Sequence, residues 1–360
     1  MNSSPTILAL VTEAFGGRGG IAQYNRDLLE ALAGSGTESV TVLARYAPDP
    51  ALPRCGNIRQ LPPHASKIGF ARAALWLVLT SRFDVVFCGH LFMAPLAALV
   101  AKLKRGKLVV QMHGIEAWQP PSRLERAGIE AADRILCVSR HTRSSTLAWA
   151  SIAPERAIVL PNTVAEDFSP GDEKGLRESW GLAGKRVLLT VGRMDSRERY
   201  KGHDRVIAIM PELLARGHDI AYVIVGEGDD RKRIAELAAQ KRVAERVLFL
   251  GPVSSDVLKR TYRIADLYVM PSTGEGFGIA FLEAMASGVP ALGLNAAGAI
   301  DALGEGRLGI CVDESDLLQS VDQMLSQPKP DPNALAAAVQ AEFGREVFNA
   351  RARAMLESLI

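Results

Sequence analysis

The stretch DLYVMPSTGEGFGIAFLEAMASG, residues 266–288, holds one complete folding unit. Residues 266–272 form an apolar run of strand length. Residues 273–278 form a glycine-rich turn, and 279–288 read as a helix stopped by Gly288. An apolar strand that passes through a turn into an apolar helix is the repeating element of a parallel sheet covered on both faces. Working outward, the same alternation recurs. RVLLTVG (186–192), AYVIVG (221–226) and RVLFLG (246–251) are strands, with helices near 202–216 and 229–241. TILALVT (6–12), SVTVLA (39–44), DVVFC (84–88), KLVVQM (107–112) and RILCVS (134–139) repeat the pattern nearer the N-terminus. The helix over 20–36 puts Ile21, Tyr24, Leu28, Leu29 and Leu32 on one face.

Between the two series, residues 161–185 are polar, carry Pro161, Pro170 and Gly171, and show no periodicity. The expected class is therefore α/β, with two parallel-sheet domains over 1–165 and 166–340 and a terminal helix over 341–360. In open sheets of this kind ligands sit beyond the C-terminal ends of the strands. Residues just after strands therefore carry the most weight.

Composition narrows the function classes. The chain has 360 residues, enough for two cores, and 48% hydrophobic with 23% charged residues fits a soluble globular protein rather than a disordered one. Residues 1–165 hold 18 Lys and Arg against 11 Asp and Glu, and residues 166–360 hold 24 against 29. A basic first half could face an anionic membrane or a phosphorylated substrate, or could be scattered solvated charge. It lacks the interleaved aromatic and basic residues of a nucleic-acid binder, so no nucleic-acid partner is expected. Cys55, Cys88, Cys137 and Cys311 are far apart and read as small core residues in a reducing compartment. No secretion signal or convincing membrane span is read, so a cytoplasmic location is expected.

Each candidate site motif follows a strand. FGGRGGIAQY (15–24) joins the first strand to its helix. Its glycines allow close backbone approach to an anion at a helix N-terminus. Gly17, Gly19 and Ala22 also match the spacing of a dinucleotide fingerprint, with Arg45 ending the next strand. An NADP-dependent oxidoreductase is the alternative this opens. His113 follows the strand 107–112 directly. Arg193 ends the strand 186–192, and Lys201 opens the next helix; two cations a loop apart can grip a diphosphate. Arg197 and Arg199 read as solvated, and Asp229 and Asp230 as a helix start. In the opening stretch, Glu275 lies in the turn and Glu283 in the helix. Phe277, Gly278 and Ile279 offer backbone N–H groups at the helix start. A carboxylate accepts from two hydroxyls at once, which suits a ribose or sugar diol.

At EGFGIAFLE, GRMDSRERYKG, GGRGGIAQY and HGIEAW, and over essentially the whole chain, the sequence resembles the retaining glycosyltransferases of family 4 (group 1), of GT-B fold. The resemblance implies two Rossmann-like domains facing a cleft, with the last helix crossing back to the first domain. It implies that Glu283 holds the ribose of a nucleoside-diphosphate sugar and Glu275 the sugar hydroxyls. Backbone groups at Phe277, Gly278 and Ile279 assist. It further implies that Arg193 and Lys201 bind the diphosphate, that Gly19 and Gly20 close on the phosphates, and that His113 lies near the transferred sugar. No metal and no other cofactor would be needed, and the anomeric configuration would be retained. The acceptor would be a hydroxyl of a glycan or glycolipid. A sugar-nucleotide hydrolase or epimerase on the same fold would share the nucleotide contacts. Residues 65–83, with Lys67, Arg72, Arg82, Phe70 and Trp76, could dock on an anionic membrane. Equally, positions 68, 71, 75, 78 and 79 could pack on the sheet.

Overall fold

The computed structural model describes residues 4–34, 36–47 and 53–360. The chain divides into two compact units, one of Met1–Thr163 with Glu346–Ile360 and one of Val164–Arg345. Among the described residues the first unit holds a seven-stranded sheet. Its strands are β1 (Thr6–Val11), β2 (Ser39–Ala44), β3 (Ile58–Gln60), β4 (Val85–Cys88), β5 (Lys107–Met112), β6 (Arg134–Cys137) and β7 (Ala157–Val159). They lie in the order β3-β2-β1-β4-β5-β6-β7, and every pairing is parallel. The second unit holds β8 (Arg186–Val191), β9 (Ile220–Val225), β10 (Val247–Gly251), β11 (Leu267–Met270), β12 (Ala291–Leu294) and β13 (Ile310–Val312). Their order is β10-β9-β8-β11-β12-β13, again all parallel.

Burial explains why the strands read as continuous apolar runs. All six residues of β9 are buried, as are Val85–Cys88 and Leu267–Met270. Each unit has its own core: Leu8, Leu10, Val86, Val110 and Ile135 in the first, and Leu188, Tyr222, Ile224, Val269 and Leu292 in the second. In both sheets the chain runs outward from one strand and then returns to that strand's other side. The order reverses between β1 and β4, and again between β8 and β11. Connections leave such neighbouring strands in opposite directions, which opens a crevice at their C-terminal ends.

Several local expectations are corrected. The polar stretch 161–185 contains a short helix, Lys174–Ser179. The tail is not one helix over 341–360. The helix Pro332–Phe343 ends at Gly344, which is extended (φ −66°, ψ 163°), and a new helix runs Arg345–Glu357. In the helix Gly20–Ala33, Tyr24, Leu28, Leu29 and Leu32 are buried as expected, but Ile21 is exposed. Cys88 and Cys137 are buried, whereas Cys55 and Cys311 are only partly so.

The helix Lys67–Thr80 departs most. It is apolar on every side, so periodicity alone could not choose its inner face. The structure buries Phe70 and Ala74 and leaves Ile68, Trp76 and Leu79 exposed at 76%, 65% and 80%. The expected packing face is thus largely the solvent face. Among the described residues no helix is long and apolar enough to cross a membrane.

Candidate active site

In the second unit the residues that follow β8 and β11 meet. Lys201 Nζ lies 2.8 Å from Glu275 Oε1, and both side chains are mostly shielded, at 15% and 12% exposure. A pair this shielded is strongly held, because neither charge has bulk water as a substitute. Tyr200 draws the two segments together. Its carbonyl accepts from the Thr273 amide at 3.0 Å, and its ring packs so closely on Gly274 that a Cβ there would come within 2.9 Å. The Glu275 carbonyl accepts from the Gly298 amide at 2.9 Å, fixing the turn from its other side.

Arg193 lies two residues past the end of β8 and is ion-paired to Glu198 within the following loop. That loop is braced from the next connection. Both oxygens of Asp229 accept from Ser196, from its amide and its hydroxyl, at 2.7 Å each. These bonds hold the Asp229 carboxyl below its ordinary range. Asp230 takes Arg233 and Arg199. The two aspartates are therefore braces for the Arg193 loop as well as the start of the helix Arg231–Gln240, and Arg199 is paired rather than free. Arg197 remains highly exposed, paired to Asp195.

The helix Ile279–Ala286 starts at Gly278, whose φ of +99° is left-handed, and where a Cβ would fall 2.6 Å from the Phe281 ring. Glycine is thus required there. Gly278 supplies no side-chain cap, so the first-turn amides keep donors that the helix itself cannot use. Phe277 has only its backbone to offer at this turn, because its ring is buried against Phe343 at 5.7 Å. Glu283, one turn further in, is buried and accepts a 2.7 Å hydrogen bond from the hydroxyl of buried Tyr262. Burial raises its carboxyl to about 7; the Tyr262 bond opposes that shift, and Asp167 adds to it.

The first unit gathers a different set after β1, β4 and β5. Gly19 caps the helix Gly20–Ala33 with φ 84° and ψ 174°, a conformation open to glycine almost alone. The loop before it is tied by Arg26 to the carbonyls of Ala14 and Gly17 and by Asn25 to that of Glu13. His113 follows β5, and its Nε2 lies 2.9 Å from the Gly89 carbonyl. That contact assigns the proton to Nε2 and leaves Nδ1 as an acceptor. Burial lowers the His113 ring below its ordinary value, so it is neutral at pH 7. Its amide is held by Glu116 at 2.6 Å. Tyr24 stands edge-on to it at 5.5 Å, linking it to the glycine-capped helix. His90, after β4, lies 6.0 Å away and is lowered by burial to about 4.

The sequence-predicted residues therefore fall into two sets. Arg193, Lys201, Glu275, Phe277, Gly278, Ile279 and Glu283 occupy the switch point of the second sheet. Gly19 and Gly20 follow β1 at that of the first, and His113, after neighbouring β5, reaches it through the Gly89 carbonyl that follows β4. Sequence reading missed Glu198, Tyr262, Glu116 and His90; Tyr262 and His90 face partners more than 20 residues away, and Glu116 and Glu198 bind residues within their own loops. It also left Tyr200 without a role. Arg45, which opened the oxidoreductase reading, is engaged with the Ala65 carbonyl and the Tyr46 hydroxyl.

Comparison with known proteins gives consistent matches. Residues 172–341 match the model for glycosyl transferases group 1, and residues 18–168 that for glycosyltransferase family 4. A GDP-mannose-dependent alpha-(1-6)-phosphatidylinositol monomannoside mannosyltransferase of Mycolicibacterium smegmatis is 32% identical, over 66% of each chain. The enzyme of the same name from Mycobacterium tuberculosis is 29% identical over 82% of each. Among solved structures, Anabaena HepE in complex with UDP has a TM-score of 0.78 at 19% identity, covering 98% of this chain and 100% of that one. The sucrose-phosphate synthase of Thermosynechococcus elongatus has the same TM-score at 22% identity, covering 98% and 99%. At these identities the structural likeness shows the fold.

Proposed function

The chain belongs to the group 1 glycosyltransferases of family 4, with the GT-B fold, and we propose that it is a retaining, metal-independent hexosyltransferase. Its donor is a nucleoside-diphosphate sugar, a UDP-sugar or GDP-mannose, and its acceptor is a glycan or glycolipid hydroxyl. The observation that carries this reading is the Lys201–Glu275 pair, set in the same turn-and-helix unit as buried Glu283. A shielded cation paired with one acceptor carboxylate, with a second carboxylate in the helix that follows, fits a ligand with both phosphates and hydroxyls.

In this reading Glu283 accepts from the ribose and Glu275 from the sugar. Arg193 and Lys201 stabilise the negative charge that builds on the departing diphosphate, helped by the amides of Phe277, Gly278 and Ile279. Electrostatic stabilisation of this kind is usually the largest catalytic term. Gly19 and Gly20 offer backbone to the phosphates. His113, neutral and with Nδ1 free to accept, takes a sugar hydroxyl. Thermal-shift measurements with GDP, UDP and NADP, with and without EDTA, test this. A shift with GDP or UDP that survives EDTA and is lost in Glu283→Gln is expected. A shift with NADP alone would overturn the reading. Product analysis with a labelled donor separates transfer from hydrolysis or epimerisation.

The exposed helix Lys67–Thr80 favours a lipid-linked acceptor at the inner face of the membrane. Ile68, Trp76 and Leu79 are bare, and residues 51–110 carry nine Lys and Arg against one acid, Asp84. Apolar residues within a basic field suit an anionic bilayer. Sedimentation with anionic vesicles, reversed by salt and weakened in Trp76→Ser, is expected. Failure to sediment at low salt would sink the membrane contact while leaving the transferase reading intact.

A further inference from the structure

Besides Glu275, which pairs with Lys201, four carboxylates contact the loop 193–201, and one of these four differs from the rest. Asp229 and Asp230 each receive at least two donors, and Asp195 receives both the side chain and the amide of Arg197. Glu198 has Arg193 as its one hydrogen-bonded cation among the described residues. One of its oxygens pairs with that guanidinium, and the other is buried with no hydrogen-bond partner among the described residues. The asymmetry extends to burial, since the Glu198 side chain is 16% exposed and that of Arg193 is 71% exposed. Glu198 is also fixed in place. Its amide donates to the Asp195 carbonyl at 2.8 Å, and its carbonyl accepts from the Lys201 amide at 3.0 Å.

We infer that Glu198 is a positioning residue that holds Arg193 in the ligand-free site and competes with the diphosphate for it, thereby setting how fast the spent nucleoside diphosphate leaves. The inference rests on the proposed role of Arg193 as a diphosphate ligand. Arg193 can turn to a phosphate because its head is exposed. Glu198 cannot follow, and its departure would leave a shielded carboxylate without its cation. Bringing a diphosphate to Arg193 also sets anion against anion. Both effects oppose tight product binding. Cations strong enough to stabilise the leaving group would otherwise retain it, since interactions shared by transition state and product slow release. Burial is the main cause of the raised Tyr200 phenol, but Glu198 and Glu275 both push it further, as expected if the two carboxylates share that neighbourhood.

Titration calorimetry of the full chain and of Glu198→Gln with GDP, UDP and the corresponding nucleosides tests this. A partly exposed ion pair is worth up to about 1 kcal/mol, which converts to about fivefold. Glu198→Gln is therefore expected to bind the preferred diphosphate about fivefold more tightly, with nucleoside binding unchanged and product inhibition stronger. Glu198→Asp, which keeps the charge, is expected to stay near the wild type. A gain in affinity cannot come from damaged folding, which would weaken binding. Unchanged or weaker diphosphate binding in Glu198→Gln would overturn the inference while wild-type binding upholds the donor reading. If the wild type binds neither diphosphate, the donor reading falls and takes this inference with it.

Discussion

After β1, β4 and β5 the first unit places a glycine-capped helix and two imidazoles that burial keeps neutral. After β8 and β11 the second unit places two cations, each already facing a carboxylate, and a further carboxylate buried in the helix that follows β11. The sheets share one construction and reverse their order at equivalent strands. Yet one crevice offers backbone and uncharged rings, and the other offers held charge. A shared architecture supplies a position for chemistry, while the side chains decide which chemistry. Neutral groups suit contacts that must form and break around a sugar. Preorganised charge suits a leaving group whose negative charge grows during the reaction.

The largest test of that contrast is Lys201→Ala. It removes a cation and leaves Glu275 shielded and unpaired, so the turn suffers and, on the proposed reading, so does the phosphate contact. A loss of about 10²–10³ in kcat is expected, by analogy with removing one preorganised donor from an active site. His113→Gln keeps a neutral acceptor at the first switch point and is expected to cost less. Steady-state rates of the two variants with the same donor check the order. If His113→Gln proved the more damaging, charge would not be what separates the two crevices.

Glycine substitutions sharpen the comparison at the level of backbone. Gly278 and Gly19 both cap helices with positive φ, but their surroundings differ. A methyl at Gly278 meets the Phe281 ring at 2.6 Å, whereas nothing lies within 4 Å of one at Gly19. Each substitution carries backbone strain of about 1–3 kcal/mol. Gly278→Ala adds a collision in a buried core and is expected to lower Tm the more. Thermal melts of the two variants decide it, and equal losses would show that packing at Gly278 relaxes freely.

Much of the fold could be read because buried parallel strands are apolar along their length, as in TILALV or IAYVIV. What escaped was short or depended on distant partners. β3, β7 and β13, each at a sheet edge, have three residues, too few to show a period. The helix Lys67–Thr80 misled for the opposite reason, being apolar all round. The site cations and carboxylates could be read because they stand just after strands, next to glycines. Their companions could not. Tyr262 sits 21 residues before Glu283 on another helix, and nothing local marks it as that carboxylate's donor. Glu198 looks like any charged loop residue until its single partner is known.

Glu283 gives the smallest effect and the most specific one. Burial lifts its carboxyl from the ordinary 4.5 to about 7. The folded state therefore holds this proton more tightly than the unfolded chain does. Its stabilising contribution is complete below pH 4.5 and declines as pH rises to about 7, where the folded carboxyl ionises in turn. Ribose binding has the opposite dependence, since a diol donates to the ionised form. If only that form binds, affinity should rise about tenfold between pH 6 and pH 8. Phosphate titration would obscure this in a single ligand, so the measured quantity is the affinity ratio of a nucleoside diphosphate to its 2′,3′-dideoxy analogue. The ratio should climb with pH in the wild type and stay flat in Glu283→Gln. A flat ratio in both would mean that Glu283 serves the helix and Tyr262 rather than the ligand. Held charge at the second switch point would then reduce to the Arg193–Glu198 and Lys201–Glu275 pairs.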